Sequence, residues 1–348
     1  MATVTLRTIA EEAGVSVSTV SLALSGKGHI SQQQVERIKG IAEALGYRPN
    51  PVLASLASKR FRSGSTFTGT LLALLELRSG GAPKRPVGFY REALLAKCKE
   101  LGYQVQVYDE TRISNYKNLP KTLYNCGVQG VIITGEGPPE TFADTSAWEP
   151  FSMVQCGRFR SSLPLHTVRS DIYRSVKLIY RHLRELGYER IGFGFGRHGL
   201  TLEDDEARLG AAWAINELDD HAAHIPPFMG KLNDDEAFIQ WAKDNQPDCI
   251  VGFSVGQYFH LLKNGFKIPQ TSGFAGMHIG LQDTLACPRF SGLLQQLDVI
   301  ANQSVVLLDQ LIRYNDRGFP TVPQHTLIPS KWVAGETTRK MSQPETGK

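Results

Sequence analysis

The sequence predicts an α/β protein with an all-α N-terminal head: a helix-turn-helix module followed by a two-lobed core of doubly wound parallel sheets. Three observations carry this. The first 60 residues hold only helical periodicity and helix-capping signals. From Gly69 onward, apolar strand-like runs alternate with helical stretches over more than 200 residues. A break in that alternation near 157–170 divides it into two subdomains, with a cleft expected between them.

Along the head, Thr5 can cap a helix over "LRTIAEEA", which presents Ile9, Ala10 and Ala13 on one face and ends at Gly14. Ser16 can cap a second helix running to Leu24, with Val20 and Leu24 turned inward. After the loop "SGKGH", Ser31 with Gln34 three residues on has the spacing of a capping box. The third helix carries Val35, Ile38, Ile41, Ala42 and Leu45 in one stripe, and Gly46 stops it. Asn50 followed by Pro51 opens a fourth, short helix to Lys59. Its apolar residues, Leu53 and Leu56, are too few to dock it firmly, so it needs a partner to be ordered. "KRFRSGSTFT" then reads as a linker. The domain boundaries expected are 3–50 for the head, 50–68 for hinge and linker, and 69–338 for the core. Within the core, one lobe takes 69–160 and 298–338 and the other 161–297.

In the core, "GTLLALLEL", "YQVQVYD", "VQGVIIT", "FSMVQC", "RIGFGF", "CIVGF" and "SGFAG" read as strands. Helices are expected around 87–101, before Cys126, over 172–186 and 203–218, near 234–244, and over 256–264 and 298–314. The segment "HTLIPSKWVAG" is expected to cross back to the first lobe.

Charge singles out the head. Residues 1–62 hold eight Lys/Arg against four Asp/Glu, whereas the other 286 hold 30 of each. The whole excess of +4 therefore lies in one small module, as expected if that module alone meets a polyanion. The chain has no apolar run long enough for a membrane span and no secretory h-region at its start. Its five cysteines, Cys98, Cys126, Cys156, Cys249 and Cys287, form no CxxC pair. Buried thiols in a reducing cytoplasm are the expectation, with no metal and no cofactor.

Three motifs invite other chemistry. "GFSVG" at 252–256 fits a nucleophile elbow, and chain order allows Ser254, Asp283 and His325 as a hydrolase triad. No oxyanion-loop segment is visible upstream, and a hydrolase has no use for residues 1–60, so no catalytic residue is expected. "GFGRHG" at 194–199 fits a dinucleotide fingerprint but lies mid-chain, several residues before its helix. "DDHAAH" at 219–224 reads as a solvated helix end rather than a metal site.

"TLRTIAEEAGVSVSTVSLAL" and "GHISQQQVERIKGIAEALGYRPNPVLASLASKR" closely resemble the head of the lactose-repressor (LacI/GalR) family of bacterial transcription regulators. Further matches, "GVQGVIITG", "VRSDI", "LRELGYERIGF", "EARLGAAW" and "QPDCIVGF", extend the resemblance over the chain. It implies a homodimer on a pseudo-palindromic double-stranded operator, a repressor first, with an activator of the same family as the alternative. It also implies a periplasmic-binding-protein-like core with a small effector in its cleft. Phosphate contacts would come from Thr5, Ser16, Thr19, Ser21, Ser31 and Asn50, with His29 nearby. The hinge would bring Leu53, Leu56 and Lys59 to the DNA, Leu56 as the apolar wedge in a base step.

By the same resemblance Val17, Ser18 and Leu22 face the base edges, where relatives often carry longer polar side chains. Bidentate Arg–guanine contact is then not available from this helix, and an A·T-richer half-site is expected. In the cleft, Arg208 matches the family's effector-binding arginine. Ser254 and His278 stand where relatives commonly have sugar-binding polar groups, and the carboxylates that bind sugar hydroxyls are missing. An anion or a less hydroxylated ligand is therefore expected at Arg208, Ser254 and His278.

Overall fold

The computed structural model describes residues 6–25, 30–45, 70–77, 90–109, 111–135, 138–157, 163–197, 202–231 and 233–341. In the head, α1 (Leu6–Ala13), α2 (Val17–Ser25) and α3 (Gln32–Ala44) pack around one small core. Ile9, Val20, Ala23 and Ile38 are almost wholly removed from water there. Small residues on α1 and α2 let three short helices approach closely, and the burial offsets the poor stability of each alone. Gly14 turns the chain between α1 and α2 at φ +64°, a conformation that glycine adopts without strain. Thr5, His29, Asn50, Leu53, Leu56 and Lys59 lie outside the described residues.

The core holds two sheets. The first is six-stranded and fully parallel, in the order β10-β5-β4-β3-β1-β2. Its strands are β1 (Leu71–Leu77), β2 (Gln104–Tyr108), β3 (Val128–Gly135), β4 (Ser152–Cys156), β5 (His166–Ser170) and β10 (His325–Ile328). The second has five strands in the order β11-β9-β8-β7-β6, parallel except for β11. These are β6 (Ile191–Gly194), β7 (Cys249–Gly252), β8 (Gly273–Ile279), β9 (Ser291–Leu294) and β11 (Lys331–Val333).

Helices cover both faces of each sheet, which is why the strands read as continuous apolar runs. Against the first sheet lie α4 (Arg91–Glu100) and α11 (Leu297–Tyr314) on one side and α5 (Leu119–Asn125) on the other. Against the second lie α6 (Ile172–Glu185) and α7 (Leu202–Leu218) on one side, with α8 (Asp235–Asn245) and α9 (Val255–Lys263) opposite. A short helix, α10 (Leu281–Leu285), follows β8.

Two boundaries differ from the sequence reading. Residues 166–170, expected in a break and in the second lobe, form β5, hydrogen-bonded between β4 and β10 of the first sheet. Within "HTLIPSKWVAG", HTLI joins the first sheet as expected, but KWV pairs antiparallel with β9 in the second. The periodicity of five- and three-residue strands is too short to assign; backbone pairing with strands distant in sequence places them. The four-residue strand β9 is placed in the same way, and the five-residue helix α10 is too short for a helical period to show.

Three connections cross between the sheets, at β5–α6, β9–α11 and β10–β11. They are bonded to one another: Asp171 N–H donates to Ile328 O (2.8 Å), and Gln296 Nε2 to Pro329 O (2.8 Å). Ser175 and Ser330 join by their hydroxyls at 3.0 Å.

Candidate nucleic-acid interface and effector cleft

The second head helix presents a mixed outer face. Ser16 caps it: the Thr19 N–H donates to Ser16 Oγ at 3.1 Å. The same oxygen lies 2.7 Å from Ser18 Oγ and 2.8 Å from Thr19 Oγ1, so three hydroxyls cluster at the helix start. Such an end offers backbone donors and a positive dipole to a phosphate. Val17 and Leu22 stand outward, 44% and 41% exposed, while Val20 and Ala23 of the same helix are buried. Leu24, expected inward, is only half-buried at the edge of the head core. Ser21 lies within the helix. Ser31 precedes α3, and its carbonyl accepts from the Gln34 and Val35 N–H groups. No side-chain bond joins Ser31 to Gln34 among the described residues, so the expected capping box is not formed.

In the second lobe, Arg208 is no surface arginine: its side chain is wholly buried on α7. It pairs with Asp205 one turn earlier, and its guanidinium carbon lies 4.8 Å from the centre of the Phe253 ring. The His278 ring meets Phe253 edge-on at 4.8 Å between centroids. His278 Nδ1 lies 2.9 Å from Gln295 Nε2; with the amide as donor, the ring proton sits on Nε2. Gln257 fixes the Phe253 backbone, accepting from its N–H at 2.6 Å and donating to Gly194 O at 2.8 Å. These residues come from the carboxyl ends of β7, β8 and β9 and the first turns of α7, where doubly wound sheets bind ligands. Arg208 and His278 are thus joined through one aromatic ring.

Ser254 stands next to Phe253 in chain, half-buried, with ordinary extended backbone (φ −144°, ψ 164°). A nucleophile elbow needs a strained turn there. His325 is on β10 of the other sheet, and Asp283 is occupied at the start of α10 by the Gly280 N–H (2.7 Å). The hydrolase triad is not assembled. "GFGRHG" has a packing explanation: a Cβ on Gly194 would lie 2.6 Å from the Phe238 ring of α8.

A buried arginine already matched by Asp205 offers no uncompensated charge, so an anion would have to compete with a buried ion pair. Sequence reasoning passed over Asp205, Phe253, Gln257 and Gln295. The i, i+3 spacing of Asp205 and Arg208 was a usable signal. It also passed over Glu76, the one charged residue in "LLALLEL", buried at the end of β1. Both oxygens of Glu76 accept from Arg91, one at 2.8 Å, and this bond raises the arginine's pKa. Arg91 Nη2 also lies 3.8 Å from Asp109 Oδ2 at the end of β2. Between the lobes, Arg169 on β5 donates to Glu203 on α7 at 2.9 Å.

Three of the cysteines are buried as expected, and burial pushes the Cys98 and Cys156 thiols up to about 12. Cys126 and Cys287 are exposed instead. No described helix is long and apolar enough to cross a membrane.

Residues 5–50 match the family described as bacterial regulatory proteins, lacI family. The maltose regulon regulatory protein MalI of Escherichia coli K12 is 30% identical over 198 residues, 55% of this chain and 53% of that protein. The chain thus aligns with about half the length of that relative. Catabolite control protein A of Staphylococcus xylosus is 25% identical over 332 residues, 92% of this chain and 96% of that protein. Among solved structures, the Lac repressor dimer bound to operator and the anti-inducer ONPF superposes with a TM-score of 0.58 at 20% identity, covering 97% of this chain and 99% of that one. A CelR–cellobiose complex gives 0.54 at 18%, covering 96% and 99%. At these identities the structures speak for the fold.

Proposed function

Because residues 5–50 match the lacI family of bacterial regulatory proteins, we propose that the chain is a cytoplasmic repressor of that family that binds a pseudo-palindromic operator as a homodimer. Residues 3–50 are its reading head, 50–68 its hinge and linker, and the two sheets its sensing core. The observation that carries this reading is the outer face of α2. Val17, Ser18 and Leu22 are exposed beside a capped, hydroxyl-rich helix start, while the opposite face holds the head core. Val17 and Leu22 meet thymine methyls, Ser18 bonds a base edge, and Ser16, Thr19, Ser21 and Ser31 meet phosphates. Thr5, His29, Asn50, Leu53, Leu56 and Lys59 complete the contacts, with Leu56 wedged at the operator centre.

A small effector binds between the lobes against Phe253, His278, Ser254 and the Arg208–Asp205 pair. With Arg208 compensated, the chemistry suits a hydrogen-bonding ligand with one flat apolar face. Dimerisation is supported by exposed apolar side chains on α9 and α10: Phe259 and Leu262, Leu281 and Leu285. Phe290 bridges the two helices, its ring 6.1 Å from Phe259 and its N–H on Asp283 O.

Selection of binding sites from random duplex DNA by the full chain tests the reading. Two-fold symmetric half-sites, A·T-rich where α2 docks, are expected. Recovery of no symmetric site would falsify it.

A further inference from the structure

We propose that the surface pocket between α6 and the β10–β11 crossover is a second ligand site, one that takes a small tetrahedral oxyanion: inorganic phosphate or a phosphate monoester. The pocket measures about 290 Å³ and is lined by Arg174, Lys177 and Arg181 with Ser175, Pro329 and Ser330. That volume is at the small end of ligand pockets, roughly 300–1,000 Å³. It is distinct from the effector position above, which stands at strand ends on the second sheet.

The cations are placed by helix geometry. Positions 174, 177 and 181 are related by i, i+3 and i+7, so they form one stripe along α6. The opposite face of the helix, with Val176, Ile179 and Leu183, is buried against the second sheet. Asp171 is the carboxylate bonded to the stripe among the described residues. It is buried, caps α6 by accepting the Arg174 N–H at 3.0 Å, and lies 3.4 Å from Arg174 Nε. Lys177 rests over the Tyr173 ring at 5.9 Å. Neither Lys177 nor Arg181 forms an ion pair among the described residues. The pocket lining therefore holds three cations, one of which, Arg174, is paired with Asp171.

Its floor adds a neutral donor. Ser175 and Ser330 are both buried. The Ser175 hydroxyl donates to Asp171 O at 2.5 Å. Ser175 Oγ also donates to Ser330 Oγ at 3.0 Å, so the Ser330 hydroxyl accepts there and its own proton can turn to a bound oxygen. Two guanidinium forks, an ammonium and a hydroxyl suit a group with several acceptor oxygens and more than one negative charge. A neutral ligand would leave Lys177 and Arg181 unmatched.

The place of the pocket gives it consequence. Its helix belongs to the second lobe, and its other wall is the segment that carries the chain from the first sheet to the second. Pro329 O also accepts from Gln296 of another crossover. An anion held by α6 and Ser330 together bridges the second lobe and the β10–β11 crossover, so any change of lobe arrangement that moves them apart is coupled to its binding.

Calorimetric titration of the full chain, without DNA, tests this with inorganic phosphate and with glycerol phosphate, against sodium chloride at matched ionic strength. Saturable binding is expected, weakened about tenfold for each cation removed in Lys177→Gln/Arg181→Gln. Lys243→Gln/Lys263→Gln, on exposed positions of α8 and α9, leaves it unchanged. Ser330→Ala weakens it several-fold. Tighter binding of the ester identifies a phosphorylated metabolite as the ligand, and equal or tighter binding of phosphate identifies the free ion. Equal affinity in the wild type and the Lys177/Arg181 variant, or heats no different from chloride, overturns the site. An unchanged affinity in Ser330→Ala overturns the contact with the crossover. Because no DNA is present, these outcomes are independent of the operator reading.

Discussion

Leu22 states the residue-scale problem: an apolar side chain 41% exposed on a helix expected to read DNA. Methyl contact supplies a preference for thymine without a hydrogen bond. Leu22→Arg is then expected to move the selected base at the facing step to guanine, with about 1–3 kcal/mol of discrimination, read by site selection and competition binding. Arg208 behaves oppositely, since its interactions lie inside the protein. Arg208→Ala leaves Asp205 buried without its cation and should cost about 3–5 kcal/mol in denaturant unfolding. Asp205→Leu/Arg208→Met is expected to recover most of that loss, because no buried charge remains. His166 sets a pH dependence. It is buried, its Nδ1 accepts the Gln324 N–H at 3.1 Å, and burial lowers its pKa from 6.5, against a weaker opposing pull from Asp316. The folded state thus binds fewer protons than the unfolded chain. Stability should be unaffected above 6.5 and fall as pH drops from there toward the folded value. His166→Gln should flatten this decline in urea midpoints measured between neutral and acid pH.

Among elements, α2 joins local and tertiary causes most closely. Its capping serine was legible because a hydroxyl before an apolar-periodic stretch satisfies an orphan N–H wherever the helix lies. Ser16→Ala should cost about 1 kcal/mol in thermal unfolding and weaken operator binding as well, since the same hydroxyl cluster faces outward. The third helix was equally legible from its stripe. Its expected capping box was not formed, because a spacing match leaves open whether Gln34 turns back or outward. Strand β5 was illegible: His166–Ser170 has neither length nor clean alternation, and only pairing with β4 and β10 makes it a strand. β11 follows β10 after two residues yet runs in the other sheet. Such a switch leaves no signal in residue type.

For the whole molecule, the exposed apolar pair of helices α9 and α10 sets the expected assembly. Leu281→Glu/Leu285→Glu places four carboxylates in a two-fold contact and should dissociate the dimer, read as halved mass in sedimentation equilibrium. Operator affinity should fall with it, because two linked heads bind far more tightly than one. A monomeric wild type at micromolar concentration would count against this interface.

The sequence by itself determined the local features: the head with its charge excess, the alternation of most strands and helices in the core, and the cap at Ser16. These depend on neighbours within a turn or two, or on composition. It also singled out Arg208. Tertiary structure alone decided what Arg208 touches, that Phe253 joins it to His278, which sheet β5 and β11 enter, and that Arg174, Lys177 and Arg181 face Ser330 across a pocket. The reason is separation along the chain: contacts between residues 45 or 155 positions apart arise from burial and strand pairing summed over the molecule, and no local pattern encodes them.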